Sequence, residues 1–297
     1  MTDPKMMAQM VGGAGFIAAL DQSGGSTPGA LKAYGLGDDA FTSEEQMYEL
    51  IHEMRVRIIT APSFNGRKVI AAILFEKTMD GQAGGVPVPT ALWQRGVVPF
   101  LKVDKGLEAE ADGVQMMKPI PGLDDLLARA VKLGVFGTKM RSVIKAANRQ
   151  GIAAIVQQQF EVAEQILAHG LIPIIEPEVS IKSADREAIE ELLLDELTKA
   201  LDAMTGAKRV MLKLSIPAKA DIYAPLIGHM RVARVVALSG GFSRTEACEH
   251  LAQNHGMIAS FSRALLEDLR HQMSDEEFDK TLGTAIDEIY TASIAKA

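Results

Sequence analysis

Acids and amines in this sequence cluster where short apolar runs end. Asp21 closes FIAALD, Lys102 and Asp104 close VPFLKVD, and Lys139 with Arg141 lies in GTKMR. Glu176 and Glu178 lie in IIEPE, and Lys213 sits within VMLKLS. Side chains alternate along an extended strand, so 102 with 104, 139 with 141, and 176 with 178 each share a side. If these sides face one lumen, three lysines, an arginine and up to four carboxylates converge on one pocket. Such a mixture costs desolvation unless the groups pair or act on a substrate.

Lys213 carries the sharpest expectation. An amine held in an apolar strand loses hydration, which disfavours its ammonium form and makes the neutral nucleophile accessible. A neutral amine attacks a ketone to give a carbinolamine and then an iminium, an electron sink for breaking or making a carbon–carbon bond. The competing reading has Lys213 pointing outward and snorkelling to solvent. Carbinolamine formation and dehydration both need a proton carried to and from oxygen, a task for Glu176 or Glu178. The competing reading for these glutamates is an ion-pair lattice with the lysines.

Three loop segments suit anions, two of them Gly-containing. LSGGFS offers Ser239, Gly240 and Gly241, and FSRALL places Arg263 at a helix start, where backbone N–H groups and a planar guanidinium favour phosphate. DQSGGSTPG supplies a second anion-binding stretch with Ser23 and Ser26, near Lys102 and Arg141.

These residues need a scaffold that brings strand ends together. Eight short apolar runs recur: Phe16 to Leu20, Val69 to Phe75, Val97 to Val103, Val135 to Thr138, Leu171 to Ile175, Val210 to Leu214, Val235 to Leu238 and Met257 to Phe261. Amphipathic stretches lie between them, among them Glu44 to Ile59, Leu123 to Leu133, Phe160 to His169, Arg186 to Met204 and Thr245 to Asn254. Repeated strand and helix with no G-x-G-x-x-G after the first strand predicts a closed (β/α)8 TIM barrel rather than a doubly wound sheet. Residues 1–297 read as one such α/β domain, ending in a helix from Asp275 to Ile289 with Ser274 as its N-cap. The Gly- and Pro-rich segment Asp80 to Pro89 is expected to be the loop after the second strand.

Composition narrows the function. Apolar residues at 47% and charged residues at 23% are those of an ordinary globular chain of 297 residues that buries a sizeable core. A net charge of −7 argues against non-specific nucleic-acid binding. The single cysteine, Cys248, makes no internal disulfide, and the N-terminal residues lack the regions of a secretion signal, so a cytoplasmic location is expected. No apolar stretch is long enough to span a membrane. The six histidines fall in helical or loop segments without ligand spacing, so neither a metal nor another cofactor is expected. Assembly into a homo-oligomer stays open, because apolar faces for an interface and for the barrel look alike.

Seven strings, in order, resemble the class I fructose-1,6-bisphosphate aldolases, above all the shorter microbial members: GFIAALDQSGGS, VVPFLKVDKG, GTKMRSVIK, GLIPIIEPE, VMLKLSIP, VVALSGGFS and FSRAL. The match runs from about residue 14 to about residue 270. The resemblance implies a metal-independent barrel that interconverts fructose-1,6-bisphosphate with dihydroxyacetone phosphate and glyceraldehyde 3-phosphate in glycolysis and gluconeogenesis. It implies Lys213 as the Schiff-base lysine, Glu176 as acid and base, and Asp21 as acceptor of the C4 hydroxyl proton. It further implies that Lys139 and Glu178 hold charge and orientation, that Ser239, Gly240 and Arg263, with Gly241 in the same loop, take one phosphate, and that Ser23, Ser26, Lys102 and Arg141 stand near the other.

Two departures stand out. The long members carry a C-terminal tail ending in tyrosine that assists proton transfer, whereas here the last tyrosine, Tyr290, falls in the terminal helix and the sequence closes in SIAKA. The long members also have glycine before the final arginine, where this sequence has Ser262. Rival readings are another Schiff-base barrel enzyme of transaldolase or deoxyribose-phosphate aldolase type, and a non-catalytic barrel scaffold.

Overall fold

Runs rich in Val, Ile, Ala, Leu and Phe, too short for helices and separated by amphipathic segments, pair most readily as parallel strands joined by helical crossovers. The computed structural model, which describes residues 3–297, shows that pairing. Eight parallel strands follow one another round a closed barrel: β1 (Phe16–Leu20), β2 (Val69–Leu74), β3 (Val98–Lys102), β4 (Gly137–Ile144), β5 (Ile172–Val179), β6 (Val210–Ser215), β7 (Val232–Leu238) and β8 (Ile258–Phe261). Phe100 opposite Gly137 joins β3 to β4, and Ile17 opposite Ser260 joins β1 to β8, which closes the ring.

The covering helices are α1 (Pro4–Gly12), α2 (Thr27–Ala33), α3 (Glu44–Thr60), α4 (Val88–Gln94), α5 (Leu123–Lys132), α6 (Arg149–Ala168), α7 (Arg186–Ala203), α8 (Arg244–Ala252) and α9 (Asp275–Ile294). Their starts are written in the sequence. Ser43 and Asn148 accept backbone N–H groups of the first turns of α3 and α6, and Ser243 and Ser274 form reciprocal capping boxes with Glu246 and Glu277.

Several boundaries differ from the sequence reading. β4 and β5 run on to Ile144 and Val179, because the polar residues that interrupt their apolar pattern stay in the sheet. α6 begins at Arg149, eleven residues before the expected Phe160. The segment from Asp80 to Pro89 does follow β2, but it holds a two-stranded antiparallel hairpin, Gln82–Ala83 with Val86–Pro87, and the start of α4.

Alternation divides the apolar residues into two cores. Outward-facing side chains such as Phe16, Ala18 and Leu20 pack under the helices. Inward ones such as Ile17, Ala19, Val98, Phe100, Ile172, Ile174 and Met211 fill the lumen. Phe100 meets Phe136 edge to face with centroids 5.4 Å apart. α1 closes the amino-terminal end of this lumen with Met6 and Met10. Gln9 donates to the carbonyls of Ile70 and Gly96, and Arg234 donates to those of Val11 and Gly13, so the plug is tied to the barrel rim.

Candidate active site

The inward rows explain where the charges go. Ile17 and Ala19 lead to Asp21, Val98 and Phe100 lead to Lys102, Ile172 and Ile174 lead to Glu176, and Met211 leads to Lys213. Each step of two residues keeps the same face, so the apolar filling of the lower barrel gives way to ionisable groups at the carboxyl ends of the strands. They open into a cavity of about 760 Å³. Lys213, Lys139 and Glu176 are only 3–4% exposed, and Asp21 and Asp104 are also buried.

The charges alternate in sign. Lys102 Nζ lies 2.7 Å from both Asp104 Oδ1 and the Asp104 carbonyl. Asp104 Oδ2 lies 3.8 Å from Lys139 Nζ, which touches Asp21 Oδ2 at 2.6 Å and Glu176 Oε2 at 3.2 Å. Glu176 Oε1 in turn lies 3.2 Å from Lys213 Nζ. Three amines thus balance three carboxylates, a cancellation that makes the burial of five of them, with Lys102 partly buried, tolerable. Glu176 Oε2 meets Lys139 without a directed hydrogen bond, which leaves a lone pair for a proton from elsewhere. Nearer the mouth, Arg141 Nε donates to Glu178 Oε2 at 2.5 Å.

The environment fixes two of the protonation states. Burial pushes the Asp21 carboxyl upward, but Lys139, Lys213 and Lys102 outweigh it and hold the group well below the usual carboxylate range. Burial likewise works against the Lys139 ammonium. Asp21, Glu176 and Asp104 outweigh that burial and hold the ammonium well above the ordinary lysine value. Asp21 is therefore an anion and Lys139 a cation at neutral pH.

Ser239, Gly240 and Arg263 line the same cavity. Gly240 has φ +62°, and a Cβ there would meet Ile181 Cγ2 at 2.6 Å, so the turn after β7 requires glycine. Gly241 instead faces a neighbouring, more apolar cleft, although a Cβ on it would lie 3.6 Å from Arg263 Nη2. Across the mouth, Ser23 and Ser26 line the wall. Ser26 Oγ accepts the Ser23 N–H at 3.1 Å and donates to the Ser23 carbonyl at 2.9 Å. Lys102 and Arg141 line the cavity as well, each already paired with a carboxylate.

Four contributors escaped the sequence reading. Gln159, fully buried on α6, accepts the backbone N–H of Glu176 at 2.9 Å. Gln22 Nε2 donates to Ser262 Oγ at 2.5 Å, which ties the loop after β8 to the loop after β1. Tyr48 and Phe75 stack with centroids 5.7 Å apart and form an aromatic side of the cavity. Among the described residues, no group of three or more His, Cys, Asp or Glu side chains is disposed to hold a metal ion. Tyr290 is half-buried in α9, with Lys68 Nζ 5.8 Å from its ring centroid. No described helix is long and apolar enough to cross a membrane.

A closed β/α barrel with a lumen amine against a carboxylate has the architecture of a lyase that works through a lysine imine. The family of class-I fructose-bisphosphate aldolases matches residues 6–214, and the chain belongs to it. The matched segment holds Asp21, Lys102, Lys139, Glu176 and Lys213, whereas Ser239, Gly240 and Arg263 lie beyond it. Among solved structures, the fructose-bisphosphate aldolase of Plasmodium falciparum superposes with a TM-score of 0.78 at 21% identity, over 98% of this chain and 94% of that one. A Corynebacterium glutamicum protein superposes with a TM-score of 0.54 at 15% identity, over 98% and 92%. These two likenesses are likenesses of fold. The family membership makes the chain an aldolase of the Schiff-base type.

Proposed function

We propose that the chain cleaves fructose-1,6-bisphosphate reversibly into dihydroxyacetone phosphate and glyceraldehyde 3-phosphate, with the ketose bound to Lys213. The observation that carries this reading is the 3.2 Å contact between Lys213 Nζ and Glu176 Oε1 inside a closed, charge-lined lumen. The amine attacks C2 of the ketose, and Glu176 protonates the carbinolamine oxygen so that it leaves as water. Asp21 then takes the proton of the C4 hydroxyl. The C3–C4 electron pair moves into the iminium, giving an enamine on Lys213 and releasing the aldehyde. The proton that Asp21 received passes, directly or through water, to C3 and restores the iminium, and water with Glu176 as base frees the second product.

Lys139 fixes Asp21 and Glu176 around the reacting carbons, and Glu178 orients Arg141. Ser239, Gly240 and Arg263 bind one phosphate, with Gly241 shaping their loop. Ser23, Ser26, Lys102 and Arg141 attend the other, with Lys102 and Arg141 exchanging part of their carboxylate contacts for phosphate oxygens. The electron sink is the iminium, so the reaction draws on no metal or other cofactor. The partners are small sugar phosphates rather than nucleic acid or membrane, and the setting is cytoplasmic hexose breakdown and synthesis, glycolysis and gluconeogenesis.

Borohydride added with dihydroxyacetone phosphate tests this. Irreversible inactivation with the label on Lys213, and activity unchanged by a chelator, are expected. A label on another lysine, or activity lost to the chelator, overturns the assignment.

A further inference from the structure

Arg55, on the inner face of α3, is 1% exposed, and among the described residues no carboxylate forms an ion pair with it. A buried guanidinium without a bridging counter-charge is strongly unfavourable, so its presence here needs a reason. Burial pulls its pKa down to about 10, and the Asp21 carboxylate is the largest influence against that pull. The side chain is still a cation at neutral pH.

Its contacts lead to the candidate site. Nη2 donates to the carbonyl of Gln22, the residue after Asp21. Nη1 donates to Thr78 Oγ1 at 2.8 Å, in the single helical turn that follows β2. The guanidinium lies 5.9 Å from the centroid of Phe75, whose ring faces the cavity, so Arg55 sits behind the wall and out of reach of a substrate phosphate. Nε has no hydrogen-bond partner, so the charge is not spent on a full set of local bonds. Through Gln22, whose side chain reaches Ser262, the same arginine steadies the loop that leads into Arg263.

We propose that Arg55 is a positioning residue for Asp21: it clamps the carbonyl of Gln22, the residue after the aspartate, and so fixes the strand end that carries the carboxylate. The inference rests on the reading that Asp21 receives the C4 hydroxyl proton. It separates two halves of the reaction. Imine formation depends on Lys213 and Glu176, across the lumen, and does not need Arg55. Carbon–carbon cleavage depends on the placement of Asp21, and does.

The test uses the full chain with Arg55→Ala and Arg55→Lys, assayed for borohydride labelling with dihydroxyacetone phosphate and for cleavage of fructose-1,6-bisphosphate. Both variants are expected to label Lys213 at the rate of the unsubstituted protein. Cleavage should fall about a hundredfold, the cost of a misplaced catalytic group. Guanidinium at millimolar concentration should restore cleavage in Arg55→Ala, and urea should not. If Arg55→Ala does not fold, Arg55→Lys carries the test, since it keeps the charge and loses the fork. Unchanged cleavage, or labelling and cleavage lost in parallel, overturns the proposal. Failure of the unsubstituted protein to label Lys213 overturns the reading of the lysine itself, and the proposal with it.

Discussion

Glu176 is held between two amines, with Oε1 at 3.2 Å from Lys213 and Oε2 at 3.2 Å from Lys139. The amines are not equivalent. Lys139 touches three carboxylates and stays charged, whereas Lys213 touches one. That contrast is what favours Lys213, in the proposed reaction, as the nitrogen that meets the carbonyl.

Lys213→Met tests that distinction with a side chain of similar length and no nucleophile. Cleavage and borohydride labelling should both disappear, a loss of at least about a thousandfold, as when an enzyme loses its nucleophile. The circular dichroism spectrum should stay that of a folded barrel. Appreciable residual turnover in a folded variant would falsify the imine assignment.

Glu176→Gln keeps the volume and removes the proton carrier. Both labelling and cleavage should slow by about 10²–10⁴, the usual worth of general acid–base catalysis. Single-turnover labelling is the direct readout, and a variant that labels at full speed while cleaving slowly would move the proton role to another group.

Asp21 links the site to acid stability. A carboxyl whose pKa is lower in the folded state contributes stability that is complete above its ordinary value of 3.8 and is lost as pH falls through the lower folded value. The urea midpoint of the unsubstituted protein should therefore exceed that of Asp21→Asn by a constant margin between about pH 7 and about pH 5, shrinking only in stronger acid. A margin that vanishes within that interval would show that Asp21 is not held as a depressed carboxylate.

Gln159→Leu removes the acceptor for the Glu176 N–H. An orphaned buried donor costs about 1–3 kcal/mol, measurable as a lower denaturation midpoint. Because the lost bond holds the backbone of the acid, kcat should fall while KM for the sugar phosphate changes little. A stability loss with kcat intact would confine Gln159 to a structural role.

Much of this was legible beforehand, because alternation in a barrel strand is strict. Once the runs at Ile17, Val98, Ile172 and Met211 are read as inward rows, the side on which Asp21, Lys102, Glu176 and Lys213 fall follows without coordinates. Which amine meets which acid does not follow, since it depends on the stagger between strands that are distant in sequence. The ends of β4 and β5 were hidden by the charged residues they carry. Gln159 and Arg55 escaped for the opposite reason. A polar residue on a helix normally signals solvent, and only the packing of α6 and α3 against the barrel shows that these two point inward.

The plug formed by α1 also sets the traffic of the reaction. With Met6 and Met10 stoppering one end of the barrel, the described residues leave the charged cavity open at the rim where the loops converge. On the proposed reaction, ketose, aldehyde, the water shed on forming the imine and the water that later hydrolyses it share that opening. On the proposed reaction, the water that frees the second product enters from the side by which the sugar arrived, past the loops rather than through the floor of the barrel.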